Sequence, residues 1–282
     1  MFRKILFIAF IVSAFAGKLV AQDLISAADL AKETKNPDYV IVAADLETEY
    51  AKVHITNAVN ISYKSFFKPG AIEGLLISTA EMEKIFGEKG VSENKTIVVY
   101  DEGASKYSTR VYWILKHLGA TKVKVLDGGL AAWKAGRKPV TKNPTNITPA
   151  NFKAKANAKM IVEAEAVTAA KGKGNTVLVD CREEKEFKAL DGKSKGHIPW
   201  AINVDHSTLL KADHTFKTKA ELEKIFTAAG VTKDKTVILY CSTGVRTGKA
   251  YLALTSILGY PNVVVYDNGL NEWEAKKNPV EK

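Results

Sequence analysis

The chain carries two copies of one sequence pattern, and this repeat limits the possible folds more than any other feature. Residues 91–140 and 231–280 align without a gap, so that VSENKTIVVYD faces VTKDKTVILYC and LGATKVKVLDGGLAAW faces LGYPNVVVYDNGLNEW. In this alignment Asp101 faces Cys241, 140 residues further along the chain. The preceding segments match more loosely, VIVAADLETEY against VLVDCREEKEF. Internal similarity at a fixed separation indicates a duplicated domain.

Each copy has the pattern of an α/β domain. In the second copy, the apolar β-branched runs Thr176–Asp180, Thr236–Tyr240 and Asn262–Tyr266 predict buried strands, and Ala201–Val204 predicts a weaker one. Between them, ELEKIFTAAG and GKAYLALTSILG have helical periodicity and end in glycine. This alternation predicts two tandem domains, each a mostly parallel sheet with helices on both faces.

The expected boundaries follow from composition. Residues 1–21 predict a signal peptide, 22–140 the first domain, 141–158 a linker and 159–282 the second domain. The linker TKNPTNITPANFKAKANA is polar, contains two prolines and has no clear periodicity.

The N-terminal segment has the layout of a secretory signal. Arg3 and Lys4 precede an apolar run, Ile5 to Ala16, and the small residues of a cleavage site are found either at Ala14-Phe15-Ala16 or in the stretch that ends at Ala21. The run is shorter than the roughly 20 residues that a membrane-spanning helix needs. We therefore expect a periplasmic or secreted protein without stable membrane insertion after cleavage. An uncleaved anchor is the alternative, and cleavage after Ala16 or after Ala21 is left open.

The positive charge does not indicate nucleic-acid binding. The net charge is +10, but only five of the 41 basic residues are arginine, and the lysines are spread along the chain. Nucleic-acid binders cluster these residues on one face. A diffuse positive field instead favours small anionic substrates.

The chain has two cysteines, Cys181 and Cys241, without CxxC spacing. In an oxidising compartment they can pair across space, or one of them can be a working thiol. We expect Cys181 to be a small buried residue; a disulfide with Cys241 would instead make the protein a redox-gated module.

The segment TVILYCSTGVRTGKA places Cys241 where a predicted strand ends, before a small-residue turn and a helix that begins near Arg246 or Thr247. Backbone N–H groups of such a turn and a helix N-terminus both stabilise negative charge. The pattern therefore predicts an anion cradle with a nucleophilic thiolate at its centre. A buried structural cysteine is the alternative.

The second copy resembles a rhodanese (sulfurtransferase) domain through VDCREEKEF, GHIPWAINV, LYCSTGVRTGKA and YDNGLNEW, in that order. The first copy resembles the inactive N-terminal domain of tandem rhodaneses. The resemblance implies that Cys241 attacks the outer sulfur of a small anionic donor and carries it as a persulfide to a thiophilic acceptor, cyanide or a thiol. It implies no cofactor and no metal, and the five histidines form no ligand cluster.

The resemblance also assigns roles around the cysteine. The loop that would surround the sulfur, chiefly through its backbone, comprises Ser242, Thr243, Gly244, Val245, Arg246 and Thr247. We expect Arg246 to order this loop. Asp180 and Arg182 are expected to support the loop or to meet the anion, and the alternative is an ordinary ion pair beside the site. Lys249 is expected to face solvent.

The first copy is expected to be a packing partner and cleft wall, because the Asp101 carboxylate cannot carry sulfur. Arg110, Tyr112 and Trp113 are expected at the interface or in the core.

The sequence constrains the identity of the sulfur donor less than it constrains the nucleophile. Thr243 stands where thiosulfate enzymes tend to have a basic residue, Ser242 stands where mercaptopyruvate enzymes favour glycine, and Glu186 stands near the place of a donor-binding arginine. Thiosulfate is favoured as the sulfur donor and 3-mercaptopyruvate is the alternative.

A phosphatase or an arsenate reductase is a rival function, but it needs a loop one residue longer than the four residues between Cys241 and Arg246. A non-enzymatic redox or partner-binding module is the remaining rival.

Overall fold

The computed structural model describes residues 23–282, so the predicted signal peptide lies outside the described residues. The first copy forms a parallel five-stranded sheet in the order β1-β6-β5-β2-β4 and a separate antiparallel pair, β3 with β7. These strands are β1 (Leu24–Ile25), β2 (Tyr39–Ala43), β3 (His54–Ile55), β4 (Val59–Asn60), β5 (Thr96–Tyr100), β6 (Val123–Leu126) and β7 (Val140–Thr141). Its helices are α1 (Ala27–Glu33), α2 (Glu47–Tyr50), α3 (Thr79–Glu88), α4 (Lys106–His117) and α5 (Gly129–Ala135).

The second copy repeats this plan with a parallel four-stranded sheet in the order β11-β10-β8-β9. Its strands are β8 (Thr176–Asp180), β9 (Ile202–Asn203), β10 (Thr236–Tyr240) and β11 (Val263–Val265). Its helices are α6 (Ala164–Ala170), α7 (Glu184–Phe187), α8 (Lys219–Ala228), α9 (Thr247–Leu252) and α10 (Gly269–Ala275). The predicted fold class is confirmed.

One predicted helix differs in detail. The segment GKAYLALTSILG is α-helical only as far as Leu252 and continues as a π-helical turn, Ala253–Ile257. Two contacts accompany the wider turn: the Thr255 hydroxyl donates to the Tyr251 carbonyl at 2.7 Å, and the Leu258 N–H reaches the Ala253 carbonyl, five residues back, at 2.9 Å.

The two domains share one hydrophobic core. A single apolar cluster includes Phe86 and Trp113 from the first copy and Leu222 and Leu254 from the second. The outer face of each sheet has its own smaller cluster, which includes Trp133 in the first copy and Trp273 in the second. Burial of the inner helices against each other fixes the relative position of the two copies.

The polar segment between the copies lies on the first domain. The buried Phe152 packs against Phe86 with ring centroids 5.0 Å apart and planes tilted by 31°, and the Lys155 N–H donates to the Leu118 carbonyl. Within residues 23–282, no helix is long and apolar enough to cross a membrane.

Candidate active site

The cysteine loop lies at the carboxyl end of the second sheet, where ligands bind in parallel α/β folds. Strand β10 ends at Tyr240, Cys241 follows with no exposed surface, and helix α9 begins at Thr247. Helix α10 holds the loop from the other side, because the Leu270 N–H donates to the Cys241 carbonyl at 2.8 Å. At Gly244 the backbone has φ +72°, a conformation that glycine adopts without strain.

The first copy shows what the equivalent loop binds. The Asp101 carboxylate accepts hydrogen bonds, each 3.0 Å long, from four backbone N–H groups and a fifth from the Ser108 hydroxyl. The four amides belong to Gly103, Ser105, Tyr107 and Ser108. The loop is therefore a cradle for one buried negative charge, which its own carboxylate supplies.

In the second copy a sulfur takes the place of that carboxylate. The four amides correspond to Thr243, Val245, Thr247 and Gly248 in the repeat alignment. Among residues 23–282, no protein acceptor is found for the Thr243 and Val245 N–H groups. The loop around Cys241 thus has the donors of an anion cradle but no carboxylate to occupy them.

Arg246 fixes the shape of the loop. Its guanidinium makes a two-point ion pair with Glu186, with Nη2 and Oε1 3.0 Å apart, and donates to the Ser242 hydroxyl at 2.9 Å. Burial alone would lower the pKa of Arg246, but the bonds to Glu186 and the electrostatic interaction with Cys241 raise it above its ordinary value. These are the contacts expected of a residue that orders the loop, and they commit Glu186 to Arg246.

Asp180 and Arg182 form a buried ion pair behind the loop. Arg182 donates from Nε to both carboxylate oxygens at 3.0 Å and from Nη2 to the Gly196 carbonyl at 2.8 Å. Both side chains are almost fully buried. Their contacts are those of an ion pair, which joins the end of strand β8 to the Gly196 carbonyl in the segment before strand β9.

The first domain braces the loop through Arg110. This buried guanidinium pairs with Asp267 and donates to the Gly244 carbonyl at 3.2 Å, and the Thr247 hydroxyl donates to the same carbonyl at 2.7 Å. The sequence places Arg110 at the interface or in the core, but its contact with the cysteine loop emerges only from the packing of α4 on α9.

The expectation that Lys249 faces solvent is wrong. Only 2% of the surface of Lys249 is exposed, because helix α9 packs closely on α4. At the neighbouring Gly248 the two helices are so close that a Cβ would lie 2.6 Å from the Thr109 carbonyl carbon. Burial lowers the pKa of Lys249 to about 8, and the nearby Asp101 carboxylate opposes this shift. Helical periodicity alone does not reveal a second domain on that face.

Both cysteines are free thiols and both are fully buried. Strands β8 and β10 pair Asp180 with Tyr240, so Cys181 and Cys241 occupy the next positions of adjacent strands. Burial, and then the electrostatic interaction with Cys241, raises the pKa of Cys181 well above its ordinary value. Cys181 therefore remains a protonated, apolar neighbour of the site.

A cavity of about 260 Å³ opens between the two copies beside the cysteine loop. Its lining includes Tyr63, Lys106, Tyr107, His206, Thr243 and Arg246. The sequence patterns do not predict that Lys106, Tyr107 and His206 line this cavity, although the repeat alignment places Lys106 opposite Arg246. Within residues 23–282, no cluster of His, Cys, Asp and Glu is arranged to hold a metal ion.

Comparison with known proteins agrees with this architecture. The family model of the rhodanese-like domain matches residues 26–136 and again residues 163–276. The chain therefore belongs to the rhodanese-like family, with two such domains in tandem.

The similar proteins narrow this to the tandem sulfurtransferases. A "Putative thiosulfate sulfurtransferase" from Haloferax volcanii is 30% identical over 93% of this chain and 97% of its own length. A 3-mercaptopyruvate sulfurtransferase from Escherichia coli is 30% identical over 89% of this chain and 95% of its own. The crystal structure of SseA from Escherichia coli shows the rhodanese fold of 3-mercaptopyruvate sulfotransferases. It superposes on this chain with a TM-score of 0.81 at 29% sequence identity and covers 88% of this chain and 98% of SseA. The protein is a sulfurtransferase.

Proposed function

We propose that the protein transfers the outer sulfur of thiosulfate to a thiophilic acceptor, cyanide or a thiol, through a persulfide on Cys241. The observation that carries this proposal is the repeat itself: in the first copy four amides bind the buried Asp101 carboxylate, and in the repeat alignment Cys241 stands in the place of that carboxylate, followed by the residues equivalent to those four. A persulfide anion needs the same stabilisation as that carboxylate.

The reaction has two displacement steps. The Cys241 thiolate attacks the outer sulfur of thiosulfate, the sulfur–sulfur bond breaks, and sulfite leaves with the bonding electrons. The new anion is the terminal sulfur of the persulfide, held by the amides of Thr243 to Gly248. A nucleophilic acceptor then attacks that terminal sulfur, and the Cys241 thiolate leaves and is regenerated.

The loop residues have distinct roles in this scheme. The amides of Thr243, Val245, Thr247 and Gly248 bind the anion. Arg246 holds the loop through Glu186 and Ser242, and Gly244 provides the turn. Asp180 and Arg182 act indirectly, by fixing the strand end next to the loop.

The second candidate donor is 3-mercaptopyruvate, which the similarity to the Escherichia coli enzyme favours. The two donors are distinguished by their products, because thiosulfate releases sulfite and 3-mercaptopyruvate releases pyruvate. Steady-state assays with cyanide as acceptor should give the larger kcat/KM for thiosulfate, and Cys241→Ser should abolish both reactions. A larger kcat/KM for 3-mercaptopyruvate would reverse the donor assignment.

We also propose that the protein is exported, with cleavage of residues 1–16 or 1–21. The support is the sequence pattern of Arg3, Lys4 and the following apolar run. N-terminal sequencing of protein recovered from the periplasm or medium should begin at Gly17 or Gln22. Retention of the full-length chain in the cytoplasm would contradict export.

A further inference from the structure

The cavity beside Cys241 is lined by one basic side chain from each copy, Lys106 and Arg246, and by the carboxylates of Glu73 and Glu183, of which Glu183 pairs with Lys185. Lys106, the first residue of α4, is the repeat counterpart of Arg246, and both face the same cavity. Arg246 is neutralised by its ion pair with Glu186. Among residues 23–282, Lys106 has no carboxylate within ion-pair distance, and its ammonium lies 4.7 Å from the ring centroid of Tyr107. Lys106 is therefore the cation in the cavity that remains available to an anion.

A second group in the cavity also lacks a partner. The imidazole of His206 is more than nine-tenths buried, and its Nδ1 has no hydrogen-bond partner within residues 23–282. Burial and the nearby charges of Lys249, Arg246 and Lys106 lower the pKa of His206 to about 3. The ring is consequently neutral near pH 7 and adds no positive charge to the cavity wall. An orphaned buried polar atom of this kind indicates a missing partner.

The first copy fixes the backbone position of Lys106. The Asp101 carboxylate accepts the N–H groups of Tyr107 and Ser108, which fixes the first turn of α4. The Tyr107 ring stacks on Tyr63 with centroids 4.0 Å apart and planes 9° from parallel. The carboxylate that replaces the sulfur carrier in the first copy thus holds the helix end that presents Lys106 to the second copy.

We propose that Lys106, beside the neutral ring of His206, binds the sulfonate group of the sulfur donor, so that the cysteine-less domain supplies part of the donor site. The donor would lie with its outer sulfur toward Cys241 and its oxyanion toward the ammonium of Lys106. This inference rests on the proposed function for the identity of the donor. It turns the first domain from a cleft wall into a contributor to substrate binding.

The direct test is the binding of thiosulfate, measured by titration calorimetry, to the full chain carrying Cys241→Ser, which cannot react. Adding Lys106→Gln should raise Kd about tenfold to a hundredfold, as for the loss of a charged hydrogen bond. Lys106→Arg should restore most of the affinity. The matched control is Lys64→Gln, which removes an exposed lysine outside the cavity lining and should leave Kd within about twofold. An unchanged Kd in Lys106→Gln overturns the inference.

A second measurement uses reactive protein and two donors. Methanethiosulfonate carries one negative charge less than thiosulfate, because a methyl group replaces an oxyanion. Lys106→Gln should raise KM for thiosulfate with little change in kcat, and should raise KM for methanethiosulfonate less. Equal losses with both donors would mean that Lys106 only supports the structure. If thiosulfate binding depends on Lys106 while wild type forms no persulfide, the binding site stands and the proposed reaction fails.

Discussion

The ion pair between Arg110 and Asp267 ties the cysteine-less domain to the cysteine loop, and Arg110→Met should show how much it contributes. Both side chains are at most 2% exposed, and Arg110 also donates to the Gly244 carbonyl at 3.2 Å. Methionine fills much of the same volume but leaves the Asp267 carboxylate buried without a cation. Breaking a buried pair from one side costs about 3–5 kcal/mol. We expect a loss of that size in the free energy of unfolding, measured by urea denaturation at pH 7.

Two further variants separate the ion pair from simple packing. The double variant Arg110→Met/Asp267→Asn removes the stranded charge and should recover at least about 1 kcal/mol. Lys52→Met breaks an exposed ion pair with Glu49, in which both side chains are more than half exposed, and should cost less than about 1 kcal/mol. The reasoning is refuted if Arg110→Met costs no more than Lys52→Met, or if the double variant is as unstable as the single one.

Three other substitutions test the loop and its surroundings. Gly244→Ala should lose about 1–3 kcal/mol of stability and most sulfur loading. The reason is that φ at Gly244 is +72° and the new Cβ would lie 2.7 Å from the Asp267 carbonyl oxygen. Normal sulfur loading in this variant would contradict the role of Gly244. Cys181→Ala should keep sulfur loading within about twofold and lose roughly 1 kcal/mol of the free energy of unfolding. Unreduced wild-type protein should show two titratable thiols once it is unfolded, whereas the absence of titratable thiols would indicate a disulfide. The pKa of Lys249 falls from 10.5 to about 8 on folding. Between pH 8 and pH 10.5 the unfolded chain therefore binds more protons than the folded protein. The stability of the wild type should rise with pH over this range, by up to about 3 kcal/mol. Lys249→Met should remove that rise and be more stable than wild type at pH 7; an unchanged pH profile would refute the assignment.

Much of the fold was predictable because the repeat and the apolar runs are local signals. Strands β8 and β10 have the predicted bounds, and α9 begins at Thr247 as expected. The same local pattern places Cys241 at a strand end before a tight turn. These features depend on residues close together in the chain, which sequence periodicity records.

The features that were missed depend on contacts between the copies. Lys249 has the spacing of a solvent-facing helix residue, and only the packing of α4 on α9 buries it. His206 and Lys106 are 100 residues apart and meet only in the folded cleft. Glu186 was recognised as a departure from the family pattern, but its pairing with Arg246 spans 60 residues. Such pairs leave no periodic signal in one sequence.

The most direct test of the central claim is the intact mass of the reduced protein after brief exposure to thiosulfate and removal of excess donor. We predict a gain of one sulfur atom that is lost on addition of cyanide and absent from Cys241→Ser. Cys181→Ala serves as the matched cysteine control and should gain the sulfur as wild type does. A wild-type mass that does not change, or a gain that persists in Cys241→Ser, would contradict sulfur transfer through Cys241.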